Sequence, residues 1–183
     1  NRLWIGTISS GLFYYDFNSR LFSNLQSTTL PQQTILAIET NSESSVLIGI
    51  DGQGIWELSR RGDRLLNVYK ESGDDQSSLR GNGIYDIFCD QNKRVWICSY
   101  SGGVSYFDLA SPLVNQITHQ TNNPNSLVNN SVNSILEDGR GQIWFATDNG
   151  ISCLDKTTNN WRNFYNNKQE QAQVFLTLCR DNS

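Results

Sequence analysis

The chain of 183 residues has no methionine, three prolines and a single histidine, His119, and no apolar run reaches membrane-spanning length. A helix crossing a bilayer needs roughly 18 to 20 consecutive apolar residues, and no basic, apolar leader opens the chain. The segment is expected to be soluble, with no direct membrane contact of its own. Lacking Met and starting at Asn1, it reads as a processed or excised piece of something longer.

Lysine and arginine are sparse and scattered, 14 against 18 acidic residues, for a net charge of -4. Wrapping a phosphate backbone needs a basic stripe, so nucleic acid is excluded as the expected partner. The four cysteines, Cys89, Cys98, Cys153 and Cys179, show no CxxC spacing, which argues against zinc and for buried free thiols. Cys89 and Cys179 fall at the same place in their units by sequence alignment, and equivalent positions around a ring lie too far apart for a disulfide. No metal and no cofactor is expected. With one His and no aligned carboxylate pair, no catalytic residue is assigned: Asp51 and Asp148 belong to turns and are not paired.

What the chain does have is aromatic content, 5 Trp, 7 Tyr and 8 Phe, and a repeat. Leu3-Trp4-Ile5-Gly6-Thr7, Val46-Leu47-Ile48-Gly49-Ile50, Val95-Trp96-Ile97-Cys98-Ser99 and Ile143-Trp144-Phe145-Ala146-Thr147 align, each followed by a glycine-bearing turn and a second apolar run. Upstream lie runs rich in Ile, Val and aromatics at 34–39, 83–90, 132–138 and 174–179. Weaker runs follow at 21–25, 65–69, 113–117 and 160–164. Short β-strand runs separated by Gly, Asp and Asn turns at a blade-length period predict four-stranded antiparallel units, A to D, with no helix. The expected fold is all-β, a β-propeller segment with about four blades' worth of strands. The units are placed at about 1–30 (strands B to D), 31–72, 80–120 and 129–168, with 172–183 as a strand A completing a blade. Other blades of a parent ring, or a second copy in a homodimer, are the expected partners.

The motif carrying Asn125-Ser126-Leu127, Asn130-Ser131-Val132-Asn133-Ser134-Ile135 and Glu137-Asp138-Gly139-Arg140-Gly141-Gln142-Ile143-Trp144, closed by Asp155, resembles the two-component regulator propeller repeat. Ser77-Ser78-Leu79 through Asp108 repeats it. The resemblance implies the extracytoplasmic, periplasmic sensor of a hybrid two-component system of the Bacteroidetes type. There such propellers precede an immunoglobulin-like domain, a membrane helix, a histidine kinase, a receiver and a DNA-binding domain. Many such systems sense oligosaccharides, so a small-molecule or oligosaccharide ligand is implied, and kinase chemistry would lie outside this chain. A protein-docking propeller and a soluble cytoplasmic transcription regulator are the alternatives, and a propeller glycosidase or lyase a lesser one.

Strand A is expected to line the axis, with the B–C and D–A connections sharing one face. That places Tyr100 and Ser101, Asp51 and Gln53, Asp148 and Asn149, and the strand-A starts Asn82, Asn130 and Ser131 around a mouth. Aromatic faces with Asn, Asp and Gln suit sugar hydroxyls. Tyr100 is the favoured contact, since a hairpin turn does not need an aromatic.

Overall fold

In the computed structural model, residues 1–25, 33–41, 45–75, 77–108, 111–164 and 173–181 are described. The unit boundaries expected at 30, 31, 168, 172 and 183 lie outside them. Fifteen strands form four antiparallel sheets, and among the described residues there is no helix. The first blade holds β1 (Arg2–Gly6), β2 (Leu12–Asp16) and β3 (Leu21–Asn24); the second holds β4 (Ile35–Asn41), β5 (Ser45–Ile50), β6 (Gly54–Ser59) and β7 (Leu65–Tyr69). The third holds β8 (Ile84–Cys89), β9 (Arg94–Ser99), β10 (Gly103–Asp108) and β11 (Ser111–Ile117); the fourth holds β12 (Val132–Glu137), β13 (Gln142–Thr147), β14 (Gly150–Asp155) and β15 (Asn160–Phe164). Each sheet runs in chain order, the up-and-down meander of a propeller blade.

The chain alternates small and large residues so that blades can stack. Gly6 and Gly49 in the second strand of their blades receive Ile35 and Ile84, the first residue of the next blade's inner strand. A methyl added to Gly49 would lie 2.9 Å from Ile84 Cγ2. Cys98 and Ala146 occupy the same register. Three apolar clusters result, one per blade junction. Trp4 and Leu12 meet Val46, Ile48 and Leu58; Leu47 and Ile55 meet Val95, Ile97 and Phe107; Trp96 and Val104 meet Ile143, Phe145 and Leu154. The strand-B tryptophans of the first and third blades therefore pack between blades, as their alternation with Val and Ile predicts.

The A–B turns of the third and fourth blades carry an aspartate that explains the tryptophan beside it. Asp90 accepts the Trp96 indole N–H at 3.1 Å and the Arg94 amide at 3.0 Å; Asp138 accepts the Trp144 indole at 3.0 Å and the Gln142 amide at 3.0 Å. One carboxylate closes the turn and satisfies a buried donor. In the second blade Leu47 replaces the tryptophan and Asn41 the aspartate. Without an indole there is no donor to accept, and the Asn41 amide bonds Ser45 instead, at 3.4 Å.

The run at 174–179 departs from its expected strand: residues 173–181 join no sheet. Two backbone bonds nonetheless seat them where an inner strand belongs. Gly150 N donates to Gln173 O and Phe175 N to Thr147 O, as Gly103 N does to Asn130 O and Ile35 N to Thr7 O. Phe175 is thus the counterpart of Val132 and Ile84, which corrects the alignment by one residue. Cys179 matches Phe88 rather than Cys89, and Asp181 matches Asp90. All four cysteines are free thiols; Cys98 and Cys153 are buried, and burial pushes the thiol pKa of Cys98 well up.

Candidate ligand cleft

The three inner strands share an irregularity. Opposite its neighbour, each skips one residue near its start: Leu36 between Ile35 and Ala37, Tyr85 between Ile84 and Asp86, Asn133 between Val132 and Ser134. A bulge leaves its extra residue out of the ladder and re-aims the side chain. The residue after each second strand is fixed by a backbone bond to the residue before its own inner strand. Asp51 N donates to Thr34 O, Tyr100 N to Gly83 O and Asp148 N to Ser131 O.

The third- and fourth-blade members of these two sets, Tyr85, Tyr100, Asn133 and Asp148, meet Leu176 around a cleft of about 360 Å³. Tyr85 and Tyr100 meet edge to face, ring centroids 5.9 Å apart at 72°, and Tyr100 is 58% exposed. Across from them Asn133 donates its amide to Asp148 Oδ1 at 2.9 Å and to Phe175 O at 3.0 Å. Two aromatic faces, a carboxylate and an amide thus border one space, supplied by the third blade, the fourth blade and the 173–181 segment. The arrangement can stack on apolar ring faces and exchange hydrogen bonds with hydroxyls.

Of the residues expected at the mouth, Tyr100 and Asp148 line this cleft. Asn149 sits beside Asp148, its amide on Thr147 Oγ1 at 3.2 Å. Ser101 has φ 57°, at the turn position where the second blade has Gly52 with φ 68°, so it shapes the hairpin. Asp51 stands at the corresponding turn of the second blade and Gln53 accepts from Lys70 Nζ at 2.9 Å; neither lines the cleft. Asn82 and Asn130 staple the D–A connections: Asn82 Oδ1 accepts the Glu71 amide at 2.8 Å and Asn130 Oδ1 the His119 amide at 2.6 Å. Ser131 gives its carbonyl to Asp148 and its amide to Asn129. His119 is exposed and its Nδ1 lies 2.7 Å from Leu127 O, which makes it a donor in the same loop. Tyr85, Asn133 and Leu176 were not singled out from the sequence. A bulge leaves no mark in an Ile- and Val-rich run, though the recurrence of one residue after each inner-strand start was there to be read.

Two inner-strand acids, Glu39 and Asp86, are half-buried. Burial, together with the neighbouring Asp86 charge, pushes Glu39 up to about 7, and burial raises Asp86, whose Oδ2 accepts the Ile135 amide of the next blade at 2.8 Å. Among the described residues, no three His, Cys, Asp or Glu side chains gather as a metal site.

Residues 78–101 and 126–149 match the family model described as two component regulator propeller. Over these two segments the chain is similar to the two-component regulator propeller repeat. Each matched segment runs from the serine that closes a D–A loop, through strands A and B, to the turn bearing Tyr100 or Asp148, so the third- and fourth-blade lining of the cleft lies inside the matched segments and Leu176 outside them. Among solved structures, the extracellular domain described as that of a hybrid two component system of B. thetaiotaomicron is 19% identical at TM-score 0.69; the match covers 90% of this chain and 22% of that one. PorZ, a surface component of the type-IX secretion system of Porphyromonas gingivalis, is 12% identical at TM-score 0.65, over 96% of this chain and 27% of that one. The computationally designed Ika8 protein is 16% identical at TM-score 0.64, over 100% of this chain and 51% of that one. These likenesses establish a β-propeller fold for this chain. Comparison with curated proteins returned no significant match.

Proposed function

We propose that this chain is a non-catalytic, ligand-sensing segment of the periplasmic part of a hybrid two-component regulator, and that its ligand is an oligosaccharide held in the Tyr85–Tyr100 cleft. The observation that carries this reading is the pairing of an exposed tyrosine couple with the Asn133–Asp148 couple in one space. The tyrosine faces stack on the C–H faces of a sugar ring. The Asp148 carboxylate accepts from hydroxyls, and so does the Asn133 side-chain oxygen, its two N–H groups being committed to Asp148 and Phe175 O. The cleft draws on three consecutive structural units. A ligand spanning it favours the blade arrangement in which all three sides make contact, and unequal affinity for two arrangements is what a sensor transmits. The membrane helix and kinase implied by the repeats would receive that shift.

The test is calorimetric titration of residues 1–183 with a panel of plant and host oligosaccharides, repeated with Tyr100→Ala and Asp148→Ala. Binding by one saccharide, weakened at least about tenfold in each variant, is the expected result. Silence across the panel from a folded protein overturns the saccharide reading, and silence together with a tight protein partner replaces it with docking.

A further inference from the structure

The turn aspartates of this chain differ in what their side chains hold. Asp16 accepts the Asn18 and Ser19 amides, Asp155 those of Thr157 and Thr158, and Asp138 those of Arg140 and Gln142, while Asp90 and Asp108 meet Lys156 and Arg94. Asp51 and Asp148, each directly after the second strand of its blade, do neither. Among the described residues the Asp148 carboxylate takes only the Asn133 amide, on Oδ1, and the Asp51 carboxylate takes no hydrogen bond and no ion pair. Neither closes its turn nor balances a cation of the fold.

Both flank the tyrosine couple. Asp148 lines the cleft with Tyr85, Tyr100 and Asn133. Toward the second blade, the point where a Cβ would stand on Gly83 lies 3.6 Å from Tyr100 Cβ and 3.8 Å from Asp51 Oδ1, so Asp51 and Tyr100 are neighbours across that glycine. The Tyr85 and Tyr100 rings stand at 72° to each other and form two walls of a corner whose next wall carries Asp148. A cation is drawn to the electron-rich face of a phenol ring, and to a carboxylate the more strongly where water is partly excluded. Asp148 is half-buried.

Granting the saccharide reading of the cleft, we propose that the saccharide it takes carries a protonated amino group, as an amino sugar without its N-acetyl group does, the ammonium seated between Asp148 and the tyrosine faces. Asp148 Oδ2 and the Asn133 side-chain oxygen accept from the ammonium, and Asp51 adds attraction from the second blade. A neutral sugar meets the same walls but leaves the negative charge of Asp148 unbalanced. An acidic sugar is repelled by both carboxylates.

Calorimetric titration of residues 1–183 with chitosan oligosaccharides, and with the same oligosaccharides fully N-acetylated, tests this. The amino form is expected to bind at least about tenfold more tightly, and added salt weakens the amino form alone. Asp148→Asn, close to it in shape, abolishes the preference, and Asp51→Asn reduces it about twofold to threefold, with the far-ultraviolet circular dichroism of both variants unchanged. Equal or tighter binding of the acetylated form overturns the proposal, as does a preference that survives Asp148→Asn. A neutral saccharide that binds and is lost with Tyr100→Ala, where chitosan oligosaccharides do not bind, also overturns it and leaves the saccharide reading standing. Silence from every saccharide overturns both.

Discussion

Lys156, in the C–D turn of the fourth blade, places its ammonium 2.8 Å from Asp90 Oδ2, in the A–B turn of the third, and 2.6 Å from Glu137 Oε1. The Asp90 side chain is 1% exposed and that of Glu137 7%, so this clasp holds two blades together largely away from water. Burial raises the Asp90 pKa, but the Lys156 ammonium, the Arg94 amide and the Trp96 indole outweigh it and hold the carboxyl below its ordinary value. Lys156→Ala removes the cation and leaves two buried carboxylates facing each other, which costs about 3 kcal/mol by urea unfolding. A carboxyl held low in the folded state contributes its stability above its unfolded pKa and loses it as pH falls through the folded one. The gap between native protein and variant therefore narrows below pH 3.8, the ordinary value for this group.

Gly49→Ala sets a methyl 2.9 Å from Ile84 Cγ2 and 3.2 Å from Ala37 Cβ, closer than packed carbons tolerate. The expected cost is about 1 to 3 kcal/mol. Ile84→Ala, which removes the clashing Cγ2, makes the added methyl cost less than it does in the unaltered chain, and a double-mutant cycle reads that coupling directly. Additive losses would mean that the blades do not meet at these two residues.

Glu39 titrates near 7 in the fold against an ordinary 4.5, its neutral form favoured by burial and by Asp86. A carboxyl whose folded pKa is raised binds its proton more tightly when folded, so stability falls as pH rises from about 4.5 to about 7. Glu39→Gln removes this fall and stabilises the protein at pH 8 by on the order of 1 kcal/mol, after discounting for partial solvent screening. Denaturant midpoints measured at pH 5 and pH 8 check it.

Asn130→Ala and Tyr100→Ala separate scaffold from cleft. Losing the Asn130 acceptor frees the His119 amide and costs about 1 kcal/mol of stability, with the cleft side chains intact. Tyr100→Ala changes stability by under about 0.5 kcal/mol, since the side chain is largely exposed, and its effect falls on saccharide affinity.

The blade architecture was legible because it is written in periodic local signals: apolar runs, glycine turns and the Asp-to-Trp spacing that recurs from Asp90 to Trp96 and from Asp138 to Trp144. The cleft was legible by half. Tyr100 stood out because an aromatic has no duty in a hairpin, and Asp148 because its turn faces the mouth. Asn82 and Asn130 looked equally polar and equally well placed, yet both spend their side chains on loop amides, a commitment visible only once the D–A connections are folded. Tyr85 and Asn133 were hidden for the opposite reason: within a strand their neighbours suggest plain alternation, and only cross-strand register reveals the skipped residue. The one-residue error at Cys179 has the same origin, since two bonds from the fourth blade, and no local feature, set its register.

The skipped residue of each inner strand answers to no partner across its ladder. Leu36, Tyr85 and Asn133 are a leucine, a phenol and an amide at one structural address, and the backbone around them is the same. Chemistry at that address can therefore be exchanged without renegotiating the packing that keeps the blades apart by a fixed step. A substitution at one of these positions alters what the rim of the blade presents while the surrounding framework stays as it was.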